Sequence, residues 1–371
     1  MAKEGLVDDG LHGMNDKGIA IATVSDRRFL PASCCQLVST ARHLPSTSSA
    51  QLFLVLCDVT EEDVAQARGF FRARDMSVEV VVPDFTDKMM APLPTRWPRA
   101  AYLRLYFDWL FDQSWRRVVY LDADTRVRAP LSPLLDVDLR GQPVGAVHDF
   151  IYYVTGNIHR RRRDLFLADD APYFQSGVMV FDWKQMLACD GLAEARRFLS
   201  EHPEACYEAP DQDALNATFE NRWTPLDPTW NLHEIYLMFA RRLEPKIMHF
   251  TSTKPWSRRR PRAWREAAAW YREELARSPW PDFVEPQGLV DGVRADLQFT
   301  LRRYGPHLRR QLLRHAPSVV RRLRWERRSG DLPWVPMGAR DVEEMTQALI
   351  REAAGGALLR PPEAVLPHGH W

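Results

Sequence analysis

The sequence predicts an α/β fold in which helices pack on a mainly parallel sheet. Three observations carry that expectation. Mostly apolar runs at Ile19 to Val24, Leu52 to Cys57, Val78 to Val82 and Arg117 to Leu121 alternate with segments of helical character, at the intervals of strand–helix–strand units. A hydrophobic fraction of 45% and a charged fraction of 27% supply apolar surface for a full core and exclude a disordered chain. At 371 residues the chain has room for one large domain with appendages or for two modest ones.

In chain order, residues 1–17 are polar and glycine-containing and read as a flexible arm. Ile19 to Val24 fits a buried strand, and Phe29 to His43 a helix with Ser and Thr near its start. After the second strand, Asp58-Val59-Thr60-Glu61-Glu62 puts acids where a helix N-terminus favours them. Val78 to Val82 is the third strand. A Pro-rich loop spans Pro83 to Pro98, and Arg99 to Phe111 reads as a helix leading into the fourth strand. Gly145 to Val147 and Val178 to Phe181 are further strands around a polar insertion at 150–172, whose length suits a lid, a binding loop or a disordered segment. Lys246 to Phe250 is a late strand. Residues 257–371 are Arg- and Trp-rich and form a mostly helical basic extension.

A net charge of +1 excludes a generally basic nucleic-acid coat and an acidic solvating protein. The total hides an asymmetry: Arg294 to Arg328 holds eleven arginines against Asp296 and Glu326, so the body is acidic. Apolar residues interleave those arginines at spacings of three and four. One face of short helical pieces could lie on an anionic membrane surface, or pack on the domain with its basic side solvated. Thin aromatic interleaving argues against nucleic acid as a partner. Five scattered cysteines fit reduced thiols, and the opening residues lack the apolar core of a signal peptide, which points to the cytoplasm, with the tail as a peripheral contact on the membrane's inner face.

The chemistry-bearing signal is Val118-Val119-Tyr120-Leu121-Asp122-Ala123-Asp124, two carboxylates at the C-terminal end of a buried strand, where open parallel sheets bind ligands. Spacing of two turns both side chains to one face, so they can share Mn²⁺ or Mg²⁺ together with a substrate's phosphate oxygens. The same residues also suit an acidic strand-to-turn junction that only caps the next element. A third reading is the nucleophilic Asp-x-Asp of haloacid-dehalogenase-type phosphatases; Arg126 stands where that family carries Thr or Val, and three strands precede the motif instead of none.

Taken in series, the residues resemble glycosyltransferase family 8, which contains bacterial lipopolysaccharide galactosyl- and glucosyltransferases and glycogenin. The matching patches are Ala22-Thr23-Val24-Ser25-Asp26, Tyr102-Leu103-Arg104-Leu105, Tyr120 to Asp124, Tyr173-Phe174-Gln175-Ser176-Gly177-Val178, Asp211-Gln212-Asp213-Ala214-Leu215-Asn216, Leu226 to Asn231, and His249 to Trp256 with its Lys254-Pro255-Trp256. The resemblance implies a GT-A fold with a Rossmann-like sheet over residues 18–256, and a retaining, metal-assisted hexosyltransferase. The donor is a UDP-sugar (UDP-glucose or UDP-galactose) and the acceptor a glycan or lipid-linked saccharide. It assigns Asp122, Asp124 and His249 to the metal. Nucleotide-sugar contacts fall to Ala22, Thr23, Asp26, Arg104, Asp122, Ala123, Gln175, Ser176 and Lys254, and the catalytic centre to Gln212, Asp211 and Asp149. Asp26 is read either as a base or ribose contact or as a helix cap. Gln212 is an amide and a poor nucleophile, so same-face attack is preferred to double displacement. Departures from the family pattern are Gln175 in place of Asn, Ser252 in place of Gly, and Arg27 and Arg28 after Asp26. The reading from a different class is an inactive relative that keeps the fold and binds glycans or partners.

Overall fold

The computed structural model describes residues 17–84, 97–149, 152, 157–233 and 244–298. The expected arm, most of the Pro-rich loop, part of the 150–172 insertion and the chain from 299 onward, with most of the basic 294–328 segment, lie outside the described residues.

The main sheet has seven strands in the order β3-β2-β1-β4-β7-β6-β8. They are β1 (Lys17–Ser25), β2 (Gln51–Leu56), β3 (Val78–Val81), β4 (Trp115–Leu121), β6 (Val144–His148), β7 (Phe174–Asp182) and β8 (Trp223–Pro225). β1 to β4 pair in parallel, β7 runs antiparallel between β4 and β6, and β8 is parallel to β6. Both faces are covered, which is why β1 and β2 read as continuous apolar runs. Alternation still sorts the side chains: Ala20, Ala22 and Val24 enter the core layer holding Tyr102 and Phe107, while Ile19 and Ile21 enter the layer holding Leu37 and Phe70.

Helices fill the crossovers. α1 (Leu30–Arg42) starts without a Ser or Thr cap; Pro31 sits in its first turn and the Asp26 carboxylate accepts the Phe29 N–H at 3.0 Å. α2 (Glu61–Arg72) has the acidic start expected and a capping box, with Thr60 N–H donating to Asp63 at 2.8 Å and Asp63 N–H to Thr60 at 3.2 Å. Further α-helices among the described residues before the late strand are α3 (Ser132–Leu135), α4 (Ile158–Asp164), α5 (Trp183–Ala188), α6 (Gly191–Glu201) and α7 (Pro210–Thr218).

Three expectations change. Arg99–Trp109 is a 3-10 helix with a non-helical break at Tyr106, not a regular helix; seven of its side chains are buried, so packing sets its winding in place of a single amphipathic stripe. The strand expected at Val178 to Phe181 begins at Phe174, so the Gln175-Ser176-Gly177 patch is part of the strand. The late strand β10 (Ile247–His249) joins a separate small sheet between β5 (Thr125–Val127) and β9 (Leu232–His233), strands too short to announce themselves by alternation.

Packing continues past Trp256. α8 (Arg265–Leu275) lies on α1, placing Ala267, Ala268, Tyr271 and Leu275 in the same apolar layer as Leu30 and Leu37, with Arg42 paired to Glu274. Residues 289–298 are helical. Among the described residues no helix is long and apolar enough to cross a membrane.

Candidate functional site

The end of β4 delivers Asp122 and Asp124, and β10, antiparallel to β5, delivers His249 beside them. His249 Nε2 lies 3.1 Å from Asp124 Oδ1 and 3.5 Å from Asp122 Oδ2. One ligand atom from each of the three residues falls within 4.8 Å of the others. Backbone bonds fix the junction: Asp122 N–H donates to Gly177 O at 2.8 Å and Phe250 N–H to Asp124 O at 3.0 Å.

The imidazole is oriented from behind. Asn231 donates its amide N–H to Gln175 Oε1, leaving Asn231 Oδ1 to accept from His249 Nδ1 at 2.8 Å. That assignment puts the ring proton on Nδ1 and turns the Nε2 lone pair toward the two carboxylates, the support a metal-binding histidine needs. Gly177 makes the closure possible: a Cβ there would stand 2.3 Å from His249 Cε1 and 2.7 Å from Asp122 Oδ2. Two carboxylate oxygens and a neutral imidazole nitrogen gathered within 4.8 Å fit Mn²⁺ or Mg²⁺, with other positions left to a substrate's oxygens.

Lys254 pairs with the other oxygen of Asp124 and donates to Thr251 O at 3.0 Å. Burial alone would raise the Asp124 carboxyl, but the Lys254 ammonium, joined by the His249 ring when Nε2 also carries a proton, outweighs it and holds it below the ordinary carboxylate range.

Arg104 is buried beside the pair and fully engaged with protein groups. Its guanidinium donates to Asp122 Oδ1 and Ser176 O, both at 2.9 Å, pairs with Asp211 at 3.2 Å, and stacks over Tyr120 at 4.2 Å. Burial opposes its charge; Asp122 and Asp211 on either side hold it more firmly protonated than usual. Burial raises the Asp211 carboxyl, against the pull of Arg104. α7 carries Gln212 next to Asp211. Ser176 N–H donates to Gln212 Oε1 at 3.0 Å, and Gln212 Nε2 donates to Asp149 at 2.8 Å and to the Tyr173 hydroxyl at 3.2 Å. The amide is thereby locked, its carbonyl oxygen toward Ser176.

Under Gln212 lies a fully buried pair. Arg161 Nη2 meets Asp213 at 2.6 Å, and the Tyr173 hydroxyl donates to the same carboxylate, also at 2.6 Å. Burial pushes Asp213 up to about 6 despite Arg161. The sequence patches contain Asp213 and Asn231 without assigning either a role, and Arg161 falls within the polar 150–172 insertion. The available signal was an arginine run sharing a helix with the apolar Ile158, which marks a face turned inward.

Ala22 and Thr23 lie near the C-terminal end of β1, Ala22 in register with Tyr120, so that this strand end flanks the metal-candidate junction. The Thr23 hydroxyl is buried without a partner among the described residues. Asp26 spends one carboxylate oxygen on the α1 start, the capping alternative, and Ala123 sits between the two aspartates. Gln175 acts behind Asn231 and on Gly177 N–H at 2.6 Å.

Residues 20–260 match glycosyl transferase family 8. General stress protein A of Bacillus subtilis is 31% identical over 177 residues, 43% of this chain and 59% of that protein. The lipopolysaccharide 1,2-glucosyltransferase of Escherichia coli is 28% identical over 213 residues, 53% of this chain and 60% of that protein. The matched stretches thus span no more than about three fifths of these relatives' own lengths. Among solved structures, the galactosyltransferase LgtC in complex with donor and acceptor sugar analogues superposes with a TM-score of 0.60 at 20% identity, covering 71% of this chain and 99% of that one. The bifunctional glycosyltransferase WbbM gives 0.60 at 22%, covering 73% and 52%. At such identities the likeness is one of fold, the GT-A arrangement.

Proposed function

Because the chain belongs to glycosyl transferase family 8 and is therefore a glycosyltransferase, we propose that it moves a hexose from UDP-glucose or UDP-galactose to a glycan or lipid-linked saccharide, with retention and with Mn²⁺ or Mg²⁺ as cofactor. The observation that carries the reading is the convergence of Asp122, Asp124, His249 and Lys254, joined through Arg104 and Ser176 to Gln212 and its partner Asp149.

When bound, the divalent ion supplies positive charge for the departing diphosphate. Asp122, Asp124 and His249 hold it. Lys254 adds a second cation for the same phosphates. Ala22, Thr23 and Asp26 contact the nucleoside, and the unpartnered Thr23 hydroxyl supports that role. Ala123, Gln175 and Ser176 complete the donor site, with Gln175 and Arg104 acting mainly by holding its walls. Asp211 and Asp149 bind sugar hydroxyls, and Gln212 faces the anomeric carbon with its carbonyl oxygen. An amide fixed by three hydrogen bonds is suited to stabilising positive charge at that carbon, not to forming a covalent glycosyl intermediate, so attack comes from the face the diphosphate leaves. The arginines of 294–328 hold the enzyme at the inner face of an anionic membrane, where lipid-linked acceptors lie. Removing residues 299–371 should leave donor hydrolysis intact and abolish sedimentation with anionic vesicles; unchanged sedimentation removes that part of the proposal.

The decisive experiment is a screen of UDP-sugars with Mn²⁺, scored by UDP release, with the anomeric configuration of the product read by proton NMR. A single preferred hexose, retained configuration and silence after chelation are expected. Turnover unchanged by chelation, or an inverted product, contradicts the reading.

A further inference from the structure

Away from that site, an open cavity of about 510 Å³ lies between the 3-10 turn Arg262–Trp264, the first two turns of α8 and residues 287–292. It shares no residue with the carboxylate cluster. Its wall carries four arginines, Arg260, Arg262, Arg265 and Arg272, and no carboxylate. Helical spacing explains the convergence in part: positions 265, 268 and 272 fall on one face, and Ala268 between the two arginines keeps the floor open.

Like charges gathered on a concave wall repel unless something compensates them. Arg262 is compensated, pairing with Asp296, which also accepts the Arg262 N–H at 2.7 Å. Arg260 is buried and has only neutral partners, donating to the carbonyl oxygens of Ser257 and Glu285, both at 2.9 Å. Burial first, and Arg272 beside it second, make its charge less favourable than usual, with the Glu285 carboxylate opposing. Among the described residues neither Arg265 nor Arg272 has a side-chain ion pair or hydrogen bond within contact distance, and Arg265 acts on Asp296 only through space. The other nearby acids are engaged elsewhere: Asp291 with Arg258, Glu285 with the Arg258 N–H and Glu266 with Arg126.

We propose that this cavity is a second anion site that takes a phosphomonoester or diphosphate group, independent of the nucleotide-sugar centre. A carboxylate satisfies one guanidinium fork. Several arginines with one acid among them call for an anion of higher charge with oxygens facing more than one way, which is phosphate chemistry. The volume lies in the range of small-ligand sites and far exceeds what a simple halide fills. The group can come from a soluble phosphate ester or from a lipid head group.

Calorimetric titration of the full chain with inorganic pyrophosphate, in EDTA so that no divalent ion serves the other centre, tests the proposal. The expected result is saturable binding with one ligand per chain, weakened at least tenfold in the double variant Arg265→Gln/Arg272→Gln. Both side chains are exposed, so this variant should melt with the wild type and hydrolyse donor at the wild-type rate. Absence of binding to the wild type, or equal affinity in the double variant, overturns the proposal whatever the fate of the hexosyltransfer reading. Sedimentation with phosphatidylcholine vesicles containing phosphatidic acid separates the sources. Vesicles that displace bound pyrophosphate from the wild type assign the lipid head group; vesicles that bind the chain without displacing it assign the soluble ester.

Discussion

Replacing Gly177 with alanine adds one methyl group at the most crowded point of the site. The new Cβ would stand 2.3 Å from His249 Cε1, 2.7 Å from His249 Nδ1 and 2.7 Å from Asp122 Oδ2, where ordinary contact begins at 3.4 Å. The imidazole cannot swing aside freely, because its Nδ1 is tied to Asn231 and Asn231 to Gln175. The ring and the carboxylate must therefore retreat by about 1 Å, a displacement that costs on the order of 10²-fold in rate when it falls on reacting or ligating groups. The backbone of Gly177 does not need a left-handed conformation, so the stability cost should be that of overpacking, ~1–3 kcal/mol. Gly177→Ala should remain folded by circular dichroism, bind Mn²⁺ at least tenfold more weakly by calorimetry, and lose about two orders of magnitude in kcat/KM for UDP release. Wild-type Mn²⁺ affinity together with wild-type turnover would refute the claim that this glycine sets the spacing of the cluster.

Other consequences follow from the buried groups. Arg161→Met strands the Asp213 carboxylate and should lower unfolding stability by about 3–5 kcal/mol, with kcat falling more than KM because Tyr173 then holds Gln212 less well; adding Asp213→Asn should restore part of the stability in urea denaturation. Asp213 titrates near 6 in the folded protein against an ordinary 3.8, so between those values the folded state holds a proton that the unfolded chain has released. Its contribution to stability is present below that window and lost as pH rises through it, by at most about 1.4 kcal/mol per pH unit, a slope that Asp213→Asn should remove from the difference between urea midpoints at pH 4.5 and 6.5. Burial raises the thiols of Cys34, Cys35, Cys57 and Cys206, Cys57 up to about 12, so in the native state Ellman's reagent should react promptly with Cys189 and slowly with those four.

The parallel half of the sheet was legible because β1, β2 and β4 are buried on both faces and leave unbroken apolar runs, and because the α2 start carries its own capping chemistry. Arg99–Trp109 misleads because its burial is nearly all round, which gives no period to distinguish a 3-10 from an α-helix. β5 and β9 have three and two residues, below the length at which alternation carries information. In the site, Asp122 and Asp124 announce themselves by spacing, and His249 and Lys254 only through the ordered series of patches. What stayed hidden is the support: Gly177 matters through a contact made by a missing side chain, Asn231 through the proton it fixes on His249, and Arg161 through a carboxylate on another helix. Each is a relation between segments far apart in sequence, and no local pattern encodes it.

The central claim is that Asp122, Asp124 and His249 act as one divalent-ion site for a nucleoside diphosphate. Calorimetric titration of UDP into the protein with and without Mn²⁺, repeated on Asp124→Asn, tests it most directly. Tight UDP binding that requires Mn²⁺ and disappears in the variant, while the thermal melt persists, is the expected result. UDP affinity that is the same without the ion, or the same in Asp124→Asn, would contradict it.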